Sequence, residues 1–119
     1  MKPSLLVLDD ESIIREFVEH SAVENGYVVT SAEHPGNISA TELSGFDVIV
    51  LDLQMPNVDG IEVLRKLGCS GWGGKLVLMS GMDERTLDAA RNVAVQHGIE
   101  VLGILPKPFH SDDLDDLLH

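Results

Sequence analysis

The sequence predicts a doubly wound α/β domain, a five-stranded parallel sheet with helices on both faces. Three observations carry that expectation. Short apolar runs alternate with amphipathic stretches five times along the 119 residues. The runs are apolar at successive rather than alternate positions, as strands covered on both sides require. The connections between runs and amphipathic stretches are short, as repeated strand–helix units need.

The first strand is read from Leu5-Leu6-Val7-Leu8, which ends in Asp9-Asp10-Glu11. A helix follows, with Ile13 and Phe17, then Ile14, Val18 and Ala22, at i, i+4 spacing, closed by Asn25-Gly26. Tyr27-Val28-Val29-Thr30 is the second strand. From Glu33 to Gly45 the pattern weakens: Pro35-Gly36 interrupts it, and only Ile38 and Leu43 are large and apolar, so a short or irregular helix is expected. Val48-Ile49-Val50-Leu51 is the third strand, ended by Asp52. After the turn Met55-Pro56-Asn57, Asp59 caps a helix with Ile61, Leu64 and Leu67 on one face. Gly68 to Gly74 reads as loop, and Lys75 to Met79 as the fourth strand, stopping at Ser80-Gly81. Residues 83–97 give the longest helical pattern, with Leu87, Ala90 and Ala94 inward and Gly98 after its end. Val101 to Leu105 is the fifth strand, and Pro106-Lys107-Pro108 ends it. Ser111 caps a last helix carrying Leu114, Leu117 and Leu118.

Composition narrows the class of function. Twenty acidic against eight basic side chains give a net charge of −12, which excludes a broad face that grips nucleic-acid phosphates. The single cysteine, Cys69, excludes an intrachain disulfide framework and a multi-cysteine zinc site, so a reducing, cytoplasmic setting is expected. No apolar run is long enough for a signal-peptide core or a membrane span. Residues 1–119 read as one domain, without internal repeats or low-complexity tracts.

Four of the five strands end in a polar or charged group: Asp9 with Asp10, Asp52, Ser80 and Lys107. All four positions fall at carboxyl ends of strands, the edge at which open parallel sheets bind ligands. Two carboxylates ~5 Å apart at an effective dielectric of ~20 repel by roughly 3 kcal/mol, and a third adds to that. One lysine leaves the cluster near a charge of about −2, and a divalent cation would bring it close to neutral. Oxygen-only ligands suit Mg²⁺ or Mn²⁺ rather than zinc. Taken singly, each residue has a plainer use. Asp9 and Asp10 suit a helix start, Ser80 a turn, and Lys107 a solvated surface. Asp52 does not, because a carboxylate ending an apolar strand is costly to bury unpaired. It is their joint placement that marks a site. The histidines are scattered and are assigned no chemistry, His110 being expected at the surface. Cys69 and Trp72 are assigned to local packing, and Asp112, Asp113, Asp115 and Asp116 to a solvated face.

Leu8-Asp9-Asp10-Glu11, the run from Val48 to Pro56 with Asp59-Gly60, Ser80-Gly81, and Lys107-Pro108-Phe109 together resemble response regulator receiver domains. The resemblance spans the whole chain, with its four motifs in order. It implies a flavodoxin-like, CheY-like (βα)5 fold with strand order 2-1-3-4-5. It implies that Asp52 accepts a phosphoryl group from a histidine kinase or phosphotransfer protein. Mg²⁺ would be bound by Asp10, Asp52 and the Gln54 backbone carbonyl, with Asp9 acting directly or through water. Lys107, Ser80 and the backbone N–H groups of Leu53 and Gly81 would receive the phosphoryl oxygens, with Gly81 leaving space for them. The Lys107–Pro108 bond would be cis. Such a domain is a signalling switch rather than an enzyme, coupled to an output domain in a longer chain or to a separate target.

The sequence departs from that family at Ile104, where receivers usually carry an aromatic that follows the hydroxyl inward. The expected readout is therefore through backbone and packing shifts near the fourth and fifth strands, and a homodimer through that strand and helix face is a further expectation. Gln54 and Met82 flank the site and bear on the phosphoryl lifetime. The stretch from Asp83 to Phe109 is similar to receivers that precede EAL-type cyclic-di-GMP phosphodiesterase domains. Two other classes of function compete with this reading. A haloacid-dehalogenase-like phosphohydrolase needs an acid two residues after its nucleophile, where this chain has Gln54. A pseudo-receiver, serving only as a phosphorylation-independent interaction module, is supported by Ile104 alone.

Overall fold

Each of the five apolar runs forms a strand. In the computed structural model, which describes residues 2–56, 58–81 and 84–119, these are β1 (Ser4–Leu8), β2 (Val28–Ala32), β3 (Val48–Asp52), β4 (Lys75–Ser80) and β5 (Glu100–Pro106). Between and after them lie α1 (Ser12–Glu24), α2 (Ala40–Leu43), α3 (Gly60–Cys69), α4 (Glu84–Gln96) and α5 (Ser111–Leu118). The strands are all parallel, in the order β2-β1-β3-β4-β5. No helix among the described residues is long and apolar enough to cross a membrane.

The continuous apolar runs are explained by the two-residue period of a strand. Leu6, Leu8, Ile49, Leu51, Leu76 and Leu78 point into the core beneath α3 and α4. Their neighbours Leu5, Val7, Val48, Val50, Val77 and Met79 point into a second core beneath α1 and α5. Every position of the three central strands after Ser4 and Lys75 at their starts is thus inside, and alternation disappears. β2, at the edge, is mostly exposed and carries mixed residues. Register then fixes the carboxyl edge: Leu8 lies beside Leu51, Asp52 beside Met79, and Ser80 beside Pro106.

Several boundaries differ from the sequence reading, each for a local reason. β2 begins at Val28 and runs to Ala32, because Tyr27 closes the turn after Asn25-Gly26 and its hydroxyl donates to the Leu118 carbonyl at 3.3 Å. Gly26, at φ 89°, supplies the left-handed step that ends α1. The interrupted 33–45 segment resolves into a 3-10 turn, Pro35–Asn37, and the single turn of α2. α3 runs through Gly68 and Cys69, which were expected in a loop. A Cβ on Gly68 would lie 2.2 Å from the His97 ring, so this glycine serves close packing of α3 on the end of α4. Asp59 caps α3 as expected, its carboxylate accepting from Ile61 N–H at 3.0 Å. Trp72 packs inside, its indole N–H donating to the Phe46 carbonyl at 2.7 Å, whereas Cys69 is exposed. The expected turn residue Asn57, the helix start at Asp83 and the flanking Met82 lie outside the described residues.

The acidic last helix departs most. His110, not Ser111, occupies the N-cap of α5, and the Asp113 carboxylate accepts from His110 N–H at 3.0 Å. Asp115 is not part of a merely solvated face. Its Oδ1 accepts from the buried Ser21 hydroxyl at 2.6 Å and from the Asn25 amide at 2.9 Å, clasping α5 to α1. Those two hydrogen bonds hold the Asp115 carboxyl below the usual carboxylate range. A lowered folded-state pKa stabilises the chain above the unfolded value and is lost as pH falls through the folded one. Thermal unfolding of Asp115→Ala beside the native chain should therefore show a gap in Tm that narrows as pH drops from about 6 to about 2. A gap independent of pH would show that the clasp does not depend on the carboxylate charge.

Candidate functional site

At the carboxyl edge of the sheet the chain places three aspartates and one lysine together. Asp52 is the last residue of β3 and is 1% exposed; Asp9 follows β1 and is fully buried. Asp10, next in the chain, turns to solvent. One carboxylate oxygen from each of Asp9, Asp10 and Asp52 lies within 4.8 Å of the others. Lys107, just after β5, reaches back across the edge. Its ammonium donates to Asp9 Oδ2 at 2.9 Å and to Asp52 Oδ2 at 3.1 Å.

Short-range bonds hold these groups in place. Asp9 N–H donates to the Ala32 carbonyl at 3.2 Å, and Asp9 Oδ1 accepts from Glu11 N–H at 2.9 Å. The Arg15 guanidinium donates to the Asp9 carbonyl at 2.8 Å, tying the first turn of α1 to the same residue. Asp52 Oδ1 accepts from Gln54 N–H at 2.9 Å. Lys107 N–H donates to the Ser80 carbonyl at 2.7 Å, and the Lys107–Pro108 peptide is cis. Burial acts to lower the Lys107 pKa. The hydrogen bonds and charges of Asp9 and Asp52 outweigh it and raise the ammonium above its ordinary value. The lysine is therefore charged at neutral pH, and the two buried carboxylates share its compensation.

Ser80, at the end of β4, is fully buried, and its hydroxyl has no hydrogen-bond partner among the described residues. A buried polar atom without a partner costs about 1–3 kcal/mol, a cost that an oxygen ligand at this edge would relieve. The three aspartates offer only oxygen donors, one of them solvent-facing, which fits a hard divalent cation.

Two backbone donors differ from expectation. Leu53 N–H is spent inside the sheet, donating to the Met79 carbonyl at 2.9 Å, because strand pairing with β4 continues one residue past Asp52. Gly81 N–H donates to Gln54 Oε1 at 3.0 Å. The space beside Gly81 is therefore taken up by the Gln54 carboxamide, which lies 2.2 Å from where a Cβ would stand. Ile104 sits half-buried in β5 and packs against the α3–α4 core. Sequence reasoning missed two residues at the site. Glu11 Oε1 lies 3.5 Å from the Lys107 ammonium, and its place beside Asp9-Asp10 was a signal. Arg15 gave none, since its contact depends on the path from β1 into α1.

Known proteins share the sequence pattern and the fold. The family described as response regulator receiver domain matches residues 5–119. The response regulator MprA of Mycobacterium ulcerans (strain Agy99) is 33% identical over 117 residues, covering 96% of this chain and 47% of that protein. This chain thus spans about half the length of the curated relatives it matches. A response regulator signal receiver domain from Bermanella marisrubri superposes with a TM-score of 0.83 at 27% identity, covering 100% of this chain and 97% of that one. A response regulator from Colwellia psychrerythraea gives 0.75 at 28% identity, covering 99% and 94%.

Removing the lysine tests the charge balance. Lys107→Met leaves two buried carboxylates uncompensated and should lower unfolding stability by about 3–5 kcal/mol in urea titration. Millimolar Mg²⁺ should restore part of that loss in the variant and add less to the native chain. No stabilisation of either protein by Mg²⁺ would mean the aspartates do not hold a cation.

Proposed function

This chain belongs to the response regulator receiver domain family, and from that premise we propose that Asp52 is its phosphoacceptor. The observation that supports this most is the pairing of a buried, lysine-held carboxylate with an unpartnered, buried Ser80 hydroxyl at one strand edge. The family is a signalling family, and the transfer it performs on itself is a matter of positioning and charge.

Asp10, Asp52 and the Gln54 backbone carbonyl would hold Mg²⁺ or Mn²⁺, with Asp9 directly or through water. When bound, the ion supplies positive charge against the phosphoryl oxygens. An Asp52 carboxylate oxygen bonds the phosphorus of a phosphohistidine as the phosphorus–nitrogen bond breaks and the imidazole leaves. Lys107 stays anchored by Asp9 and exchanges its long contact to Glu11 for a phosphoryl oxygen. The Ser80 hydroxyl gains the acceptor it lacks, and Gly81 N–H exchanges Gln54 Oε1 for another oxygen. Because Lys107 N–H is bonded to the Ser80 carbonyl, movement at the end of β4 reaches β5 directly. Ile104 offers no aromatic ring to swing, so the readout runs through that backbone coupling.

The partner we propose is a histidine kinase or phosphotransfer protein in the cytoplasm. Ile13, 77% exposed, and Phe17 form an apolar strip on α1. Phe17 stacks edge-on with Phe109 at 5.6 Å, two residues beyond Lys107, so the strip borders the acceptor site. The output is a further domain of a longer chain or a separate target, with the exposed Val95 on α4 available to a second copy on the fourth and fifth strand and helix face. A charge of −12 argues against direct nucleic-acid binding.

Intact mass after incubation with acetyl phosphate tests the acceptor. One added phosphoryl group is expected with Mg²⁺, and none without it or in Asp52→Asn. No adduct, together with no uptake of beryllofluoride, would favour a phosphorylation-independent module. For the partner face, Ile13→Glu should slow transfer from a phosphohistidine donor protein by roughly tenfold, the scale of losing one interface anchor. Labelling by acetyl phosphate, too small to touch α1, should continue; equal slowing of both would place the effect in the acceptor site.

A further inference from the structure

The donors around Asp52 can be accounted for one by one. Leu53 N–H is fixed in the sheet on Met79, and Gln54 N–H is held by Asp52 itself. The Lys107 ammonium rests on Asp9, Asp52 and Glu11. The Ser80 hydroxyl has no partner among the described residues. Gly81 N–H is the one of these three backbone donors whose acceptor is the end of a side chain exposed to solvent, Gln54 Oε1 at 3.0 Å.

One N–H cannot serve two oxygens at full strength, and two oxygen acceptors repel at hydrogen-bond distance. A phosphoryl oxygen at Gly81 therefore requires the Gln54 carboxamide to leave. Gln54 is exposed, and its exit is a rotation about side-chain bonds. The glycine makes the contact possible: a Cβ at position 81 would stand 2.2 Å from Gln54 Oε1.

We propose that the Gln54 carboxamide is a resting-state latch, a positioning residue that occupies Gly81 N–H and competes with the incoming phosphoryl oxygen. The proposal rests on the phosphoacceptor reading above and adds to it what sets the threshold for loading. The latch opposes entry of any oxyanion at Asp52 and leaves the cation site untouched, because the backbone carbonyl of residue 54 persists whatever its side chain. It also keeps a polar backbone donor paired while the site is unloaded, which the Ser80 hydroxyl beside it is not.

The test is beryllofluoride titration of the full chain at fixed Mg²⁺, followed by fluorine NMR, on native protein, Gln54→Ala and Gln54→Met. Methionine keeps the length of glutamine and removes its acceptor. Both variants should bind beryllofluoride roughly two- to tenfold more tightly, the range of one hydrogen bond exchanged for water. Mg²⁺ affinity without beryllofluoride should not change. Hydrogen exchange at Gly81 N–H should quicken in both variants while amides of the central strands keep their rates. Tighter binding in Gln54→Ala with native behaviour in Gln54→Met would show that bulk, not the hydrogen bond, covers the site, and would overturn the latch. Unchanged or weaker binding in both variants would overturn it while leaving Asp52 as the acceptor. Uptake by none of the three proteins would overturn the acceptor reading and this inference with it.

Discussion

The ammonium of Lys107 lies between two carboxylates that are almost wholly out of water, Asp9 at 2.9 Å and Asp52 at 3.1 Å. Two carboxylates buried side by side at the ends of different strands would repel one another, were that cation not there. Its reach is possible only because β5 ends level with β4 and β1 lies beside β3. The arrangement remains underneutralised, one ammonium against the charges of Asp9, Asp10 and Asp52, with Glu11 at its margin. The same interaction that holds the fold's edge together leaves it attractive to a further cation.

Around this centre the site is supplied with donors already committed or conspicuously idle. Lys107 reports to Ser80 through its own backbone, whose N–H donates to the Ser80 carbonyl at 2.7 Å. Ser80 has an unused hydroxyl on one side of its backbone and this link to β5 on the other. In the proposed switch, a change at that hydroxyl would reach the strand that carries Ile104 through this link. No aromatic side chain is required for such coupling, since the hydrogen bond spans the gap between β4 and β5 directly.

Much of this was legible along the chain. Asp9, Asp10, Asp52, Ser80 and Lys107 each terminate an apolar run, and a parallel sheet must deliver such termini to one edge. The short α2 was visible in Pro35-Gly36 and the sparse apolar residues of its segment. Other features were not legible because they are contacts between distant elements. Asp115 looks like one more acid on a solvated helix, yet Ser21 and Asn25, some ninety positions earlier, are hydrogen-bonded to it. Gly68 reads as a loop glycine and proves to be helical, clearing room for His97. Leu53 reads as a free donor, and strand pairing with Met79 takes its N–H.

The sequence alone determined the number of strands, their burial on both faces and the identity of the residues at the edge, because periodicity and run length are local properties of a covalent chain. It determined the charge imbalance for the same reason, since charge is additive. Tertiary structure decided which donors are free and which are spent: Ser80 idle, Leu53 committed to the sheet, Gly81 held by Gln54. Those assignments depend on ångström distances between groups from different strands and loops. Only the packed register of β3 against β4, and of β4 against β5, sets those distances.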